Sequence, residues 1–295
     1  MILCICMEEN YIVLRKNFQE NDDRRDADFC TPEDVVRFDD ITYGPDATWN
    51  VLDVYRPKDN ESVLPVIVSV HGGGFVYGDK ERYQYYCMDL AKRGFAVVNF
   101  SYRLAPENKF PAPLVDMTMV LSWMSEHADE YGMDSKNVFA VGDSAGGHIL
   151  AMYAAAMSNL DYANILKEKY GLTVCADIKF KGVGLNCGEY MGSASKEIMQ
   201  TYLPVGDAEE YSLVDLPQYI TEAFPPAYMM TAPADFLKTS TYGMVKAFTE
   251  CNVPFVLRMY GNSERPLGHV FHCDLKLPEA TQCNDDECSF FRSLM

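Results

Sequence analysis

No stretch of this sequence approaches the roughly 18 consecutive apolar residues that a membrane-spanning helix needs. The N-terminus, Met1-Ile2-Leu3-Cys4-Ile5-Cys6, lacks a basic leader, and Glu8 and Glu9 cut its apolar run short, so it does not read as a secretory signal. Basic residues are scarce. Lys and Arg number 25 against 43 Asp and Glu, a formal charge of −18 over 295 residues. That balance excludes nucleic acid or an anionic membrane as the main partner and disfavours strongly anionic substrates. Neither G-x-G-x-x-G nor G-K-[ST] is present, which removes the common phosphate-cradling loops. Ten cysteines are present, but Cys4-x-Cys6 and Cys283/Cys288 lack paired metal-ligand spacing and the histidines lie far from both. No metal and no cofactor is expected. A cytoplasmic chain keeps its thiols reduced, and Cys87, Cys175, Cys187 and Cys251 sit among apolar neighbours as small core residues.

What is present is a regular alternation. Val35–Tyr43 and Trp49–Arg56 read as strands around the turn Gly44-Pro45-Asp46-Ala47, an antiparallel hairpin. Pro65–Val70 and Phe95–Phe100 are nearly continuous apolar runs, as strands covered on both faces should be. A helix is expected over Lys80–Arg93, closed by Gly94, and another through Leu114, Met117, Leu121, Met124 and Ala128. Strand Val138–Val141 and a small-residue helix from Ala145 to about Met157 follow. Later come strand Ala227–Thr231, helix Ser240–Cys251, strand Pro254–Tyr260 and a last helix over Pro278–Leu294. Strands alternating with helices imply an α/β class with a parallel sheet between helical layers. Residues 1–34 are polar and acidic, either a helical arm or partly disordered. The stretch Asn159–Phe224 is the least regular and rich in aromatics, readable as packing under a connection or as a wall over a site at the strand ends. No internal repeat or linker divides the chain, so one domain over 1–295 is expected.

Gly142-Asp143-Ser144-Ala145-Gly146 has the form G-x-S-x-G and stands between a strand and a helix. That setting makes a sharp turn that holds a serine hydroxyl above the sheet, at a helix N-terminus that favours negative charge. His71-Gly72-Gly73-Gly74-Phe75 follows another strand. Consecutive glycines leave backbone N–H groups unobstructed, as an oxyanion hole requires. Gly73, Gly74 and Ala145 are assigned to that role, and His71 to holding the loop. Of the remaining histidines, His127 reads as a solvated helix residue and His148 as pointing away from the turn. His269, in Gly268-His269-Val270-Phe271-His272 after the final strand, is the candidate base because Gly268 frees the backbone beside it; His272 is the alternative. The orienting acid should end a strand between serine and histidine, which selects Asp235 over Asp207, Asp215 and Asp274. Phe75 and Tyr77, just after the glycine run, are the candidates for an acyl pocket.

With Ser101-Tyr102-Arg103-Leu104-Ala105-Pro106-Glu107 and Phe110-Pro111 added, these motifs resemble the hormone-sensitive-lipase-like family of α/β-hydrolase carboxylesterases, in the family's order from about residue 35 to 295. The resemblance implies an eight-stranded, mostly parallel sheet flanked by helices. It implies a small cap built from residues 1–34 and a later insertion at about 190–224, and a catalytic triad of Ser144, Asp235 and His269. The family's acid motif runs Asp-Pro-Leu-x-Asp, whereas this chain has Asp235-Phe236-Leu237-Lys238-Thr239. The expected activity is hydrolysis of short acyl esters through an acyl-enzyme, with an acetyl esterase acting on acetylated sugars as one specialisation. An amidase or formamidase using the same triad and a non-catalytic small-molecule receptor are the rivals. The expected partner is a small ester, with a homodimer compatible with the sequence.

Overall fold

A computed structural model of the chain describes residues 2–192 and 196–295, the side chains of 2–10 and 196 excepted. Met1 of the expected arm, residues 193–195 of the expected insertion and the thiols of Cys4 and Cys6 therefore lie outside the described residues.

The chain opens with helix α1, Ile2–Asp26, so the polar N-terminal arm is helical. Strands β1, Val35–Thr42, and β2, Val51–Pro57, pair antiparallel. Asp46 fixes the bend between them, its carboxylate accepting from the N–H groups of Thr48 and Trp49 at 2.9 and 3.1 Å. Strand β3, Leu64–Val70, leads through helix α2, Lys80–Ala91, to β4, Ala96–Phe100. Gly94 follows α2 with φ +90°, a conformation that needs glycine. Helix α3, Ala112–His127, precedes β5, Met133–Asp143, which runs without a break into α4, Ser144–Ser158.

The segment read as irregular holds regular structure. It contains helix α5, Leu160–Tyr170, strand β6, Phe180–Asn186, and two short helices, α6, Lys196–Tyr202, and α7, Ala208–Leu213. β6 is an inner strand that the residue pattern concealed, because Lys181, Gly182 and Gly184 interrupt it. Its glycines answer to tertiary packing. A Cβ on Gly182 would stand 2.7 Å from Leu294 Cδ1, and one on Gly184 would run into the Glu287 carboxylate. Strand β7, Ala227–Thr231, helix α8, Lys238–Glu250, strand β8, Phe255–Met259, and helix α9, Pro278–Arg292, complete the chain.

The sheet has eight strands in the order β1-β2-β4-β3-β5-β6-β7-β8. β2 runs against both of its neighbours, and the other pairs are parallel. Successive residues of one strand feed opposite faces. Val66, Val68 and Val98 pack with Leu114, Met117 and Leu150, while Ile67, Val97 and Phe139 pack with Leu90 and Phe291. From β3 the chain adds β4 on one side and then β5 on the other, so the loops leaving β3 and β5 diverge at a crevice at the strand ends. Ligand sites in open α/β sheets form at such a point. Among the described residues, no helix is long and apolar enough to cross a membrane.

Candidate active site

Two loops meet at that crevice. After β5 the chain reverses into α4 within one residue, and Ser144 takes φ +52°. A non-glycine residue held there stores about 1–3 kcal/mol of strain, so the surroundings must enforce it. They do so by close packing. A Cβ on Gly142 would stand 2.6 Å from the Gly146 carbonyl oxygen, and one on Gly146 would strike the carbonyls of Val70 and His71. The glycines of G-x-S-x-G are therefore demanded by contact, and Ser144 is lifted above the end of the sheet.

The loop after β3 turns back at once. Gly73 and Gly74 have φ +117° and +59°, and Phe75 also lies in the left-handed region at +64°. The Gly73 carbonyl accepts from the N–H groups of Val76 and Tyr77, at 3.2 and 3.0 Å. Among the described residues, the N–H groups of Gly73 and Gly74 donate no backbone hydrogen bond. That of Ala145 lies in the first turn of α4, where no helical partner exists. All three residues line the same cavity as Ser144, which makes their N–H groups candidates for the donors an oxyanion calls for.

The histidine arrives from the far edge of the sheet. His269 Nε2 lies 2.9 Å from Ser144 Oγ, and its Nδ1 lies 2.7 Å from Asp235 Oδ1. A carboxylate only accepts, so Nδ1 carries the proton and Nε2 faces the hydroxyl as acceptor. Gly268 beside it has open space and no left-handed torsion; the unusual backbone is at Val270, φ +50°. The turn that carries His269 thus has its left-handed residue at Val270, not at Gly268 where a freed backbone was expected. Asp235 is buried, and burial alone would raise its pKa. Hydrogen bonding and charge from His269, with donations from Leu237 N–H at 3.0 Å and Thr231 Oγ1 at 2.7 Å, hold it below the ordinary carboxylate value. The departure from the Asp-Pro-Leu motif leaves Phe236 70% exposed at the rim, its ring centroid 4.3 Å from that of His269.

The other histidines are elsewhere. His71 is buried, stacks on Tyr102 at 3.9 Å and bonds the Gly72 carbonyl through Nδ1 at 2.8 Å. His148 is buried with Nδ1 on the Glu189 carbonyl at 2.7 Å, and His127 pairs with Glu130 at the surface. Burial depresses His272 to about 3, so it is a poor proton acceptor at neutral pH. The rival acids Asp207 and Asp215 precede α7 and a 3-10 turn, away from the strand ends.

A cavity of about 500 Å³ opens over Ser144 and His269. Gly73, Gly74, Ala145, Phe75 and Tyr77 all line it. The opposite wall is made by Phe18 and Arg25 of α1 and by Ile198 and Met199 of α6, which lie in the two segments expected to form a cap, although the sequence singles out none of the four residues. Seen from Gly74, Phe18 and Ile198 are both within reach, 3.7 Å from where its Cβ would stand. The aromatics of 159–224 serve chiefly as core: Tyr162, Tyr190, Tyr202 and Phe224 are buried, and Tyr202 stacks on Phe75 at 4.0 Å. α1 is clamped over the site by Arg15, which bonds the carbonyls of Val76 and Ala105 at 2.6 and 2.9 Å and pairs with Glu107.

Two side-chain groups bring together donors of the kind metals use: Asp143, His272 and Cys273, and Cys187, Asp235 and His269. Both depend on a thiol that burial pushes well above its ordinary pKa, and a thiol binds metal poorly until it is deprotonated. In the second group Asp235 and His269 are already bonded to each other. The eight described cysteines are free thiols, with Cys251 only partly buried.

The family model BD-FAE matches residues 52–237. Among curated proteins, versiconal hemiacetal acetate esterase of Dothistroma septosporum is 28% identical over 220 residues, 68% of this chain and 66% of that protein. Carboxylesterase NlhH of Mycobacterium tuberculosis is 36% identical over 134 residues, 42% of this chain and 40% of its own. The matched regions thus span less than two thirds of these curated relatives. Among solved structures, esterase B of Lactobacillus Rhamnosis superposes with a TM-score of 0.91 at 25% identity, covering 100% of this chain and 96% of that one. The same esterase has been solved inhibited by a C4-C4 tributyrin phosphonate, and that form is 26% identical to this chain with a TM-score of 0.89.

Proposed function

This chain belongs to the BD-FAE family, among the hormone-sensitive-lipase-like α/β-hydrolase esterases, and from that premise we propose that it is a serine carboxylesterase for small, neutral, short-chain acyl esters. The observation that carries the reading is the unbroken relay Ser144–His269–Asp235 at 2.9 and 2.7 Å, facing three backbone donors. His269 takes the Ser144 proton as Oγ attacks the ester carbonyl. The N–H groups of Gly73, Gly74 and Ala145 receive the oxyanion, a single such donor contributing about 3 kcal/mol. Asp235 stabilises the imidazolium, which protonates the leaving alcohol. His269 then activates water to release the acid. No step asks for a cofactor. The relay supports hydrolysis over the receptor reading, which needs a missing base.

Short chains are favoured because Phe18 and Ile198 stand close to Gly74 and bound the cavity on that side. Excess acidic charge around the site disfavours anionic substrates. The tributyrin phosphonate of esterase B is a butyrate ester analogue, consistent with this range. Acetylated sugars fall within the same class. We read the chain as one α/β-hydrolase domain over 1–295, capped by α1 and by the segment at about 190–224. The site is assembled within one chain, so hydrolysis does not need the homodimer considered above. Free thiols suit a cytoplasmic setting.

The test is a p-nitrophenyl ester series from acetate to laurate with wild type and Ser144→Ala. Turnover should peak at acetate to butyrate and fall by about 10⁴-fold or more in the variant, with its circular dichroism unchanged. A peak at long chains refutes the chain-length reading, and near-wild-type turnover in Ser144→Ala refutes the mechanism.

A further inference from the structure

One buried phenol touches both halves of the site and has no part in the relay. Tyr83, in the first turns of α2, is buried at 7% exposure. Its hydroxyl accepts from the Gly72 N–H at 2.9 Å and donates to Asp143 Oδ2 at 2.8 Å. Gly72 is the neighbour of the donors at 73 and 74, and Asp143 the neighbour of Ser144. The packing is close enough to require a glycine: a Cβ on Gly72 would stand 2.5 Å from Asp143 Oδ2 and 2.9 Å from the Tyr83 oxygen. The β3–β5 ladder ends at Val70 opposite Gly142. Beyond it, among the described residues, no direct hydrogen bond joins 72–75 to 143–145. The Tyr83 oxygen bridges that gap.

We propose that Tyr83 is a positioning residue that sets the spacing between the two halves of the oxyanion hole, by joining the glycine loop to the nucleophile turn through Gly72 and Asp143. An oxyanion needs donors from both loops at once, each within a few tenths of an ångström of the ideal. The two loops leave separate strands at a point where the sheet no longer pairs them. The link is charge-assisted at Asp143, and therefore short and directional. Burial and the Asp143 charge raise the Tyr83 pKa well above its ordinary value, so the phenol keeps its proton and remains a donor. Tyr86, one turn along the same helix, is the internal control. It is also a buried phenol, but its hydroxyl bonds Glu287 at 3.2 Å and neither of the two loops.

The proposal rests on the ester-hydrolysis reading, and its test compares wild type, Tyr83→Phe and Tyr86→Phe. The measurements are kcat and KM with p-nitrophenyl butyrate, and Ki for an aryl trifluoromethyl ketone that forms a tetrahedral oxyanion adduct on serine. In Tyr83→Phe, kcat should fall about 10–100-fold and Ki rise by a similar factor, within the range for a displaced oxyanion donor. KM should stay within about threefold, since the ground state does not use the hole. Tyr86→Phe should leave kcat and Ki near wild type. If Tyr83→Phe keeps kcat and Ki within twofold, or if Tyr86→Phe loses as much, the proposal is overturned. Should Tyr83→Phe not fold, Asp143→Asn keeps an acceptor for the phenol but removes the charge. A loss of about tenfold in kcat at constant KM then supports the link, and unchanged kcat overturns it. A wild type without turnover would sink the esterase reading itself, a result separate from any difference between variants.

Discussion

At the nucleophile turn the chain is fixed by contact between main chains, with Gly146 packed against the carbonyls of Val70 and His71 and Ser144 held at φ +52°. Over the mouth of the cavity α1 is fixed by guanidinium groups: Arg15 on Val76, Ala105 and Glu107, Arg25 on the Arg82 carbonyl, Arg82 on Asp23. Backbone packing has no slack, since a methyl group there has nowhere to go. Half-exposed ion pairs are each worth about 0–1 kcal/mol and tolerate replacement. The proposed chemistry thus sits on the rigid part of the molecule, and under that proposal the substrate meets a wall that can vary without dismantling it.

Glycine substitutions give the largest contrast. Gly146→Ala should unfold the chain or cost several kcal/mol of stability, because its methyl meets backbone rather than a side-chain tip. Gly206→Ala, in the cap segment, adds a methyl with only Gln200 Cγ nearby at 3.8 Å and bears only the strain of φ +71°, about 1 kcal/mol. Urea unfolding of both variants checks this, and equal losses would erase the distinction.

A smaller effect should follow from the cap itself. Phe18→Ala removes the ring that bounds the cavity beside Gly74. The ratio of kcat/KM for octanoate over butyrate esters should rise about 3–30-fold, the worth of a few methylenes in an apolar slot, with little change in stability. An unchanged ratio would remove Phe18 from the specificity wall.

The smallest effect concerns charge buried beneath the sheet ends. Burial lifts Glu287 to about 7, with Asn186 Nδ2 and Tyr86 partly offsetting the rise. A carboxyl whose folded pKa is raised contributes stability below the unfolded value of 4.5, and that contribution is lost as pH rises through about 7. Glu287→Gln, which cannot ionise, should therefore gain on wild type by a few degrees in Tm between pH 5 and pH 9. The opposite sign holds for His148, which burial depresses to about 4: its contribution is present above 6.5 and lost as pH falls toward 4. A Tm difference for Glu287→Gln that does not change with pH would contradict the assignment of a buried, titrating group.

The same contrast explains what could be read from the sequence. Ser144, Asp235 and His269 were legible because each sits at a strand end in chain order, and because G-x-S-x-G and the glycine run are local requirements of sharp turns. β6 was not, since Gly182 and Gly184 serve contacts with Leu294 and Glu287, which lie over a hundred residues away in the chain, and make an inner strand look like a breaker. The resemblance placed a cap over 1–34 and about 190–224, but the residues of its wall were hidden for a different reason. Phe18, Arg25 and Ile198 carry no motif, and only the docking of α1 and α6 brings them over the serine. Tyr83 reads as one more apolar position on α2, and its role emerges once Gly72 and Asp143 are seen on either side of its oxygen.

The most direct measurement is peptide mapping by mass spectrometry after titration with a butyl p-nitrophenyl phosphonate, run alongside residual activity. One phosphonyl group per chain, on the peptide bearing Ser144, with activity falling in step to zero, is the predicted result. Full turnover by a chain phosphonylated at Ser144, or an adduct that silences the enzyme from another residue, would contradict the account.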